Sequence, residues 1–229
     1  MIRCTKMKRD ILWVTGFSES YYNAVGKITL GTWNFLTNDH IFFSESRISH
    51  KGTIYIGEEM KNYHPDLQNK IFNESKKTYK FFKKAFCIWY ALKNYQDKYK
   101  SIIWLDTDVL VKKPFDVNEF LPNQDQIFST IIHGQHGCDS GFVAFNTDYP
   151  DFDKFVDEYI DYYLSGRIYQ MHNPWDAYIL EDFSKRMPVK NLFSGKPSKE
   201  DCGFQNTLLD PYLDHYWGKK GKIELESKS

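Results

Sequence analysis

Short apolar runs alternate with amphipathic helical patterns along most of this 229-residue chain. A run such as ILWVT, which ends at a glycine, is typical of a buried strand, and apolar residues at helical spacing are typical of a helix that covers a sheet. Predicted strands span 11–15, 40–44, 53–56, 101–106, 127–132 and 141–145. Predicted helices span 18–36, 75–95, 151–164 and 175–187. The alternation predicts a single α/β domain, followed after Leu209 by an irregular tail with a frayed, polar end.

Charge and composition narrow the class of protein. Thirty Lys and Arg balance thirty Asp and Glu, which disfavours nucleic-acid binding through a basic face. Aromatic residues make up 17% of the chain. A dense core is the first interpretation of this excess, and a site that stacks bases or sugars is the second. The N-terminal apolar stretch is too short for a signal peptide, and no run approaches the ~20 residues of a membrane span. With four scattered cysteines, we expect a soluble, intracellular, cytoplasmic protein with free thiols.

One predicted strand ends in paired carboxylates. The segment IIWLDTDVLV at 102–111 places Asp106 and Asp108 directly after four apolar residues. Ligands of open α/β sheets bind at the carboxyl ends of the strands, and paired carboxylates suit a hard divalent cation such as Mg²⁺ or Mn²⁺. A bare D-x-D is more often a solvated turn, but the apolar residues before it and the strand context favour a cation site here.

Two enzyme classes use such a pair. In haloacid-dehalogenase-like phosphatases the first Asp is a nucleophile, whereas in GT-A glycosyltransferases the pair binds the metal on a nucleotide-sugar diphosphate. The phosphatase motif usually opens its chain and prefers Thr or Val where Leu110 stands, but here a long α/β pattern comes first. That pattern includes a βα unit at 11–36 that suits a nucleotide. A third alternative is a metal-dependent module that binds sugar without reaction.

The loop after the first predicted strand is a candidate nucleotide site. Thr15, Gly16 and Ser18 follow the strand directly, and such loops bind nucleotides through backbone groups. Ser18 is also the predicted N-cap of the helix that follows. Tyr22, or Tyr21 beside it, could stack on a uracil ring, and both could equally belong to the core.

Four segments together resemble the GT-A glycosyltransferases, most closely the glycogenin-like and galactosyltransferase-like branch. They are the D-x-D strand, KAFC with a following Trp at 84–89, CDSGFVAFN at 138–146 and HYWGKKGK at 215–222. A weaker match is PWD at 174–176, where the family has an acidic element. The resemblance covers about 11–222. It implies one GT-A, Rossmann-like domain over 1–229, with a central mixed, mostly parallel sheet flanked by helices.

The resemblance also implies roles for individual residues. Asp106, Asp108 and His215 would bind the cation, and Asp139 and Asp176 would be catalytic carboxylates on the acceptor side of the donor sugar. The residues implied to contact the donor nucleotide sugar are Thr15, Gly16, Ser18, Tyr22, Lys84, Asp106, Thr107, Ser140, Gly141, Gly218, Lys219 and Lys222. Each has a plain structural alternative, such as a solvated lysine face, a turn or a packed surface histidine.

Two positions depart from the family pattern. Asp139 stands where the family has Asn, and the family's C-terminal Lys falls on Gly221, so which lysine contacts the diphosphate stays open. We therefore expect a glycosyltransferase that uses Mn²⁺ or Mg²⁺ to move a sugar from a UDP-sugar to a glycan or other hydroxyl acceptor, with retention of configuration. An inverting enzyme would need a carboxylate base, for which Asp139, Asp176 and Glu181 are candidates. The oligomeric state stays open.

Overall fold

The computed structural model describes residues 8–48, 50, 52–63, 76–133, 137–195 and 203–216. Nine strands lie in this part of the chain: β1 Arg9–Phe17, β2 Asp39–Ser44, β3 Thr53–Tyr55, β4 Tyr99–Leu105, β5 Val109–Val111, β6 Phe128–Ile132, β7 Cys138–Asn146, β8 Val189–Asn191 and β9 Leu213–His215. Seven of them form one sheet in the order β3-β2-β1-β4-β7-β6-β8, and β5 pairs with β9. Only β7 runs antiparallel to its neighbours in the large sheet. This confirms the expected mixed, mostly parallel sheet.

Six α-helices lie in the described residues; five fall within the predicted ranges, and the helix at Gly57–Tyr63 was not predicted. The six are α1 Glu19–Tyr21, α2 Lys27–Thr29, α3 Gly57–Tyr63, α4 Lys76–Tyr95, α5 Phe152–Leu164 and α6 Asp176–Ser184. The predicted helix at 18–36 begins with Ser18 as its N-cap but is irregular, since a π-helical turn at Tyr22–Gly26 separates α1 from α2 and a 3₁₀ segment at Leu30–Phe35 ends it. Within the described residues, no helix is long and apolar enough to cross a bilayer.

The central strands are continuously apolar because both faces of the sheet are covered. In β1, Leu12 and Val14 belong to the core cluster formed with α4, whereas Trp13 belongs to a second cluster on the other face, with β5 and β9. Side chains alternate between faces along a strand, so each run supplies both clusters at once. The predicted apolar stripe of α4, including Phe82 and Phe86, is buried in the first cluster.

The chain after Leu209 corrects one expectation. It was predicted to be irregular, but Leu213–His215 forms β9, which runs antiparallel to β5 with Val109 opposite His215. Both strands have only three residues, which is too short for an alternation pattern to be recognised. This short pairing brings the C-terminal part of the chain next to the D-x-D segment.

Candidate functional site

The two carboxylates of the D-x-D segment lie in a tight turn between β4 and β5. The amide of Asp106 donates to the carbonyl of Gly141 on β7 at 2.9 Å, and the amide of Val109 donates to the carbonyl of Asp106 at 3.0 Å. These bonds fix the turn at the carboxyl end of β4, where its neighbour β7 begins. Asp108 is buried and Asp106 is half-buried.

His215 joins the two carboxylates from the opposite strand of the small sheet. Its Nε2 lies 3.2 Å from Oδ1 of Asp108 and 3.6 Å from Oδ2 of Asp106. The three possible ligand atoms all lie within 4.8 Å of one another. The amide of Tyr216 donates to the carbonyl of Asp108 at 2.9 Å, which ties β9 to the turn. We call Asp106, Asp108 and His215 the carboxylate–histidine group.

A glycine makes room for this imidazole. A Cβ added at Gly141 would lie 2.7 Å from Cε1 and 2.9 Å from Nδ1 of His215. On another side, the ring of Phe204 stacks on the imidazole at a centroid distance of 5.2 Å. His215 therefore has one well-defined position, and Gly141 is required for it.

Charge within the group shifts its pKa values. Burial disfavours the charged imidazole, but the hydrogen bond to Asp108 and the nearby carboxylates outweigh it and raise the pKa of His215 to about 9. Burial likewise disfavours the charged form of Asp108, yet hydrogen bonds from His215 and Tyr21 hold the pKa of this carboxyl below its usual value. Burial, together with the charge of Asp108, raises the pKa of Asp106 despite the opposing charge of Lys84.

Lys84 is, after His215, the second side chain that brings positive charge to the site. From α4, its Nζ lies 2.7 Å from Oδ1 of Asp106 and 3.3 Å from Oδ2 of Asp176, and it donates to the carbonyl and hydroxyl of Ser140 at 3.0 and 2.9 Å. Burial disfavours its charge, but the two carboxylates outweigh burial and raise its pKa. Lys84 thus joins the ends of β4, β7 and α6. Its expected contact with a donor stays a prediction.

The two expected catalytic carboxylates differ in exposure. Asp139 is half-buried, and its Oδ1 accepts a hydrogen bond from the amide of Gly141 at 2.7 Å. The Asp176 side chain is only 1% exposed and faces Lys84. The structure thus brings both to the edge that carries the D-x-D, but contact of either with a sugar stays a prediction.

The expected nucleotide loop is mostly strand, because β1 continues to Phe17: Thr15 and Gly16 lie within it, paired with Phe42 and Phe43 of β2, and only Ser18 follows it. This end of β1 is tied to the D-x-D turn. The hydroxyls of Thr15 and Thr107 are 2.9 Å apart, and the Thr107 hydroxyl donates to the carbonyl of Gly16 at 3.0 Å. A Cβ at Gly16 would lie 3.1 Å from Sγ of Cys87, so the glycine also serves packing. Ser18 accepts from the amide of Tyr21 at 3.3 Å.

The two neighbouring tyrosines separate. The hydroxyl of Tyr21 donates to Oδ2 of Asp108 at 2.5 Å, a contact not foreseen from the sequence. The ring of Tyr22 instead stacks on Phe17 at 5.2 Å. Contact of Tyr22 with a base stays a prediction. The remaining expected donor residues, Gly218, Lys219 and Lys222, lie outside the described residues.

The carboxylate–histidine group suits a divalent cation. Two carboxylates and an imidazole are ligands that Mn²⁺ accepts, and Mg²⁺ favours the oxygen ligands among them. Asp106, Asp108, Asp139 and Asp176 outnumber the cations Lys84 and His215, so positive charge is needed for balance.

Solved glycosyltransferases have the same fold. A glycosyltransferase involved in the glycosylation of the major capsid of PBCV-1 superposes with a TM-score of 0.59, covering 95% of this chain and 99% of that chain at 11% identity. The bifunctional glycosyltransferase WbbM, in its apo structure, superposes with a TM-score of 0.51, covering 97% of this chain and 50% of that chain at 11% identity. No protein-family model and no curated protein matches the sequence. The expected GT-A fold is therefore confirmed by structure rather than by sequence.

Proposed function

We propose that this protein is a metal-dependent glycosyltransferase that moves a sugar from a nucleotide diphosphate donor, a UDP-sugar, to a hydroxyl acceptor. The observation that carries the proposal is the carboxylate–histidine group, three possible metal ligands within 4.8 Å of one another at the carboxyl edge of a GT-A sheet. Ligands of open α/β folds bind at this edge. The fold shared with solved glycosyltransferases favours this function over the phosphatase alternative.

Asp106, Asp108 and His215 would hold the cation, Mn²⁺ or Mg²⁺. When bound, it supplies positive charge to the leaving diphosphate. The chain's own residues prepare this position. Lys84 holds Oδ1 of Asp106, and Tyr21 holds Oδ2 of Asp108, so both carboxylates are oriented by partners on other elements. Such orientation reduces the reorganisation needed when charge develops in the reaction.

The order of strands suggests how the donor lies. Thr15 and Gly16 lie at the end of β1 with Ser18 just after it, the D-x-D turn follows β4, and Ser140-Gly141 lies near the start of β7. These three strands are adjacent in the sheet. In our proposal the nucleotide lies over β1, the diphosphate over β4 and the sugar beside Ser140-Gly141. C-terminal lysines, Lys219 or Lys222, would add positive charge at the diphosphate.

Two carboxylates are assigned to the sugar. Asp139 and Asp176 remain our candidates for contact with donor-sugar hydroxyls on the acceptor side. The Asp176 side chain is 1% exposed and its Oδ2 lies 3.3 Å from Nζ of Lys84, so we assign it to sugar contact rather than to the role of a base. Retention of configuration is part of the proposal.

UDP release from a panel of UDP-sugars tests the proposal. We expect Mn²⁺-stimulated release by the wild-type protein, loss of release with EDTA, and loss in Asp108→Asn. The matched control is Asp97→Asn, because Asp97 is exposed and lies before the other end of β4. Wild-type turnover and metal dependence in Asp108→Asn would contradict the proposal. Release of inorganic phosphate from phosphate monoesters instead would support the phosphatase.

A further inference from the structure

Three aromatic side chains pack together outside the hydrophobic core. The rings of Phe81 and Trp175 stack at a centroid distance of 5.3 Å and an interplanar angle of 27°, and Tyr178 meets Trp175 edge-on at 5.9 Å. All three are half-buried, and none belongs to the core clusters of the described residues or packs against them. We call them the aromatic group. Rings of this size usually enter the core, so a half-buried cluster beside a site indicates a binding role.

The aromatic group adjoins the candidate site. Phe81 lies one helical turn before Lys84 on α4, and Trp175 directly precedes Asp176, whose carboxylate is 3.3 Å from Nζ of Lys84. The C-terminal end of α4 leads into the N-terminal end of β4. The first turns of α4 therefore lie at the other edge of the sheet, where β4 has its carboxyl end. The group therefore lies at the same edge as the D-x-D turn, beyond Lys84.

It also lies on the other side of the site from the proposed nucleotide position. Lys84 comes from the helix-covered face of the sheet, whereas His215 comes from β9 on the opposite face. In the strand order, β4 lies between β1, whose end is the proposed nucleotide position, and β7, which carries Ser140 next to Lys84. A donor sugar beside Ser140-Gly141 would thus have the diphosphate on one side and the aromatic group on the other.

We propose that the aromatic group binds a pyranose ring of the acceptor, so that the acceptor is a carbohydrate. The inference rests on the proposed transferase function and names the substrate class of that site. The C–H face of a pyranose is apolar and slightly positive, and it packs against the negative face of an aromatic ring. Phe81 and Tyr178 hold the indole of Trp175 in one orientation, which lowers the entropy cost of binding.

Polar groups at the edge of the aromatic group suit sugar hydroxyls. The side-chain amide of Asn173 donates to the hydroxyl of Tyr178 at 2.9 Å, which leaves the hydrogen of that hydroxyl available to donate. His172 is exposed, and its ring lies 5.9 Å from that of Tyr178. A flat apolar contact with hydrogen-bonding groups at its rim fits a sugar better than a peptide side chain or a simple alcohol.

The test measures transfer to simple glycosides. The donor is whichever UDP-sugar the wild-type protein hydrolyses fastest with Mn²⁺, and the probes are methyl glycosides of glucose, galactose, mannose and rhamnose. We expect at least one glycoside to accelerate UDP release. Trp175→Ala and Tyr178→Ala should raise its KM by about tenfold, the upper range for one aromatic contact, and Trp175→Phe should recover part of the loss. Phe35→Ala, which removes an exposed ring elsewhere, should leave the KM unchanged.

The outcomes separate this inference from the proposed function. The affinity for UDP with Mn²⁺, measured on the same preparations, reports that each variant is folded. If wild-type protein hydrolyses the donor but no glycoside accelerates release, or if Trp175→Ala and Tyr178→Ala have the wild-type glycoside KM, the inference is wrong and the transferase proposal stands. If no UDP-sugar is hydrolysed and UDP does not bind, the proposed function itself fails, and the inference with it.

Discussion

A single added methyl group at Gly141 should remove His215 from the carboxylate–histidine group. Gly141 lies on β7, and its Cβ in a Gly141→Ala variant would lie 2.7 Å from Cε1 of the imidazole. Two carbon atoms pack at about 3.6 Å, so the ring must retreat by roughly 1 Å. It has little room to do so, because Phe204 stacks on the ring and β9 is paired with β5.

The size of the effect follows from the tolerance of metal ligands. Ligand distances in a metal site hold to within about 0.2 Å, so a displacement of roughly 1 Å removes His215 as a ligand. Disturbing the groups that merely orient ligands already costs about 10–100-fold in affinity. We expect Gly141→Ala to weaken Mn²⁺ binding by at least about 10-fold, or about 1.4 kcal/mol.

Calorimetric titration of Mn²⁺ into four variants provides the assay. Gly141→Ala should resemble His215→Ala, and the double variant should be no weaker than either, because both remove the same ligand. The control is Gly31→Ala, since a Cβ there meets no atom within 4 Å. Wild-type affinity in Gly141→Ala, or additive losses in the double variant, would refute the proposed role of His215.

Three further predictions concern charge. The pKa of His215 is raised to about 9 from an ordinary 6.5, so in EDTA its protonation should stabilise the fold in full below about pH 6.5. This stability should be lost as the pH rises through 9. Urea unfolding should then show a decrease of roughly 3 kcal/mol in the free energy of unfolding, which should be absent in His215→Gln. Lys84→Met leaves two carboxylates without a cation and should destabilise the fold by about 3–5 kcal/mol. Lys93→Met, which breaks an exposed pair, should cost less than about 1 kcal/mol. Asp139→Asn should keep UDP and Mn²⁺ affinity but lose about 100-fold in transfer; loss of Mn²⁺ binding would place this residue in the metal site.

Features set by local sequence were predictable. The central strands were found because both faces of the sheet are covered, so runs such as IIWL are apolar at every position. The D-x-D segment was singled out because its carboxylates directly follow an apolar run that indicates a buried strand. Ser18 was predicted as a helix N-cap from its position alone, and the structure confirms it.

Features set by distant contacts were not predictable. His215 was matched to the family by a motif, but its position depends on β5 and β9, two three-residue strands without a recognisable pattern. Tyr21 and Tyr22 differ by one step of about 100° around a helix, and that step alone sends Tyr21 to Asp108 and Tyr22 to Phe17. The partners of Lys84 come from three elements far apart in sequence.

Charge balance explains what holds the carboxylates of the site together and why the proton on His215 affects metal binding. The two cations of the site lie on opposite faces of the sheet: Lys84 compensates Asp106 and Asp176, and protonated His215 compensates Asp108. A metal ligand must be a neutral imidazole, so a divalent cation can bind His215 only if the proton leaves. The cation replaces the charge that the proton supplied and adds one more, which a group with excess carboxylates can accept. The same residue therefore stabilises the carboxylates as a cation below about pH 9 and, in our proposal, would become a ligand when a metal displaces its proton. Lys84, whose raised pKa keeps it charged across this range, holds Asp106 in place in both states.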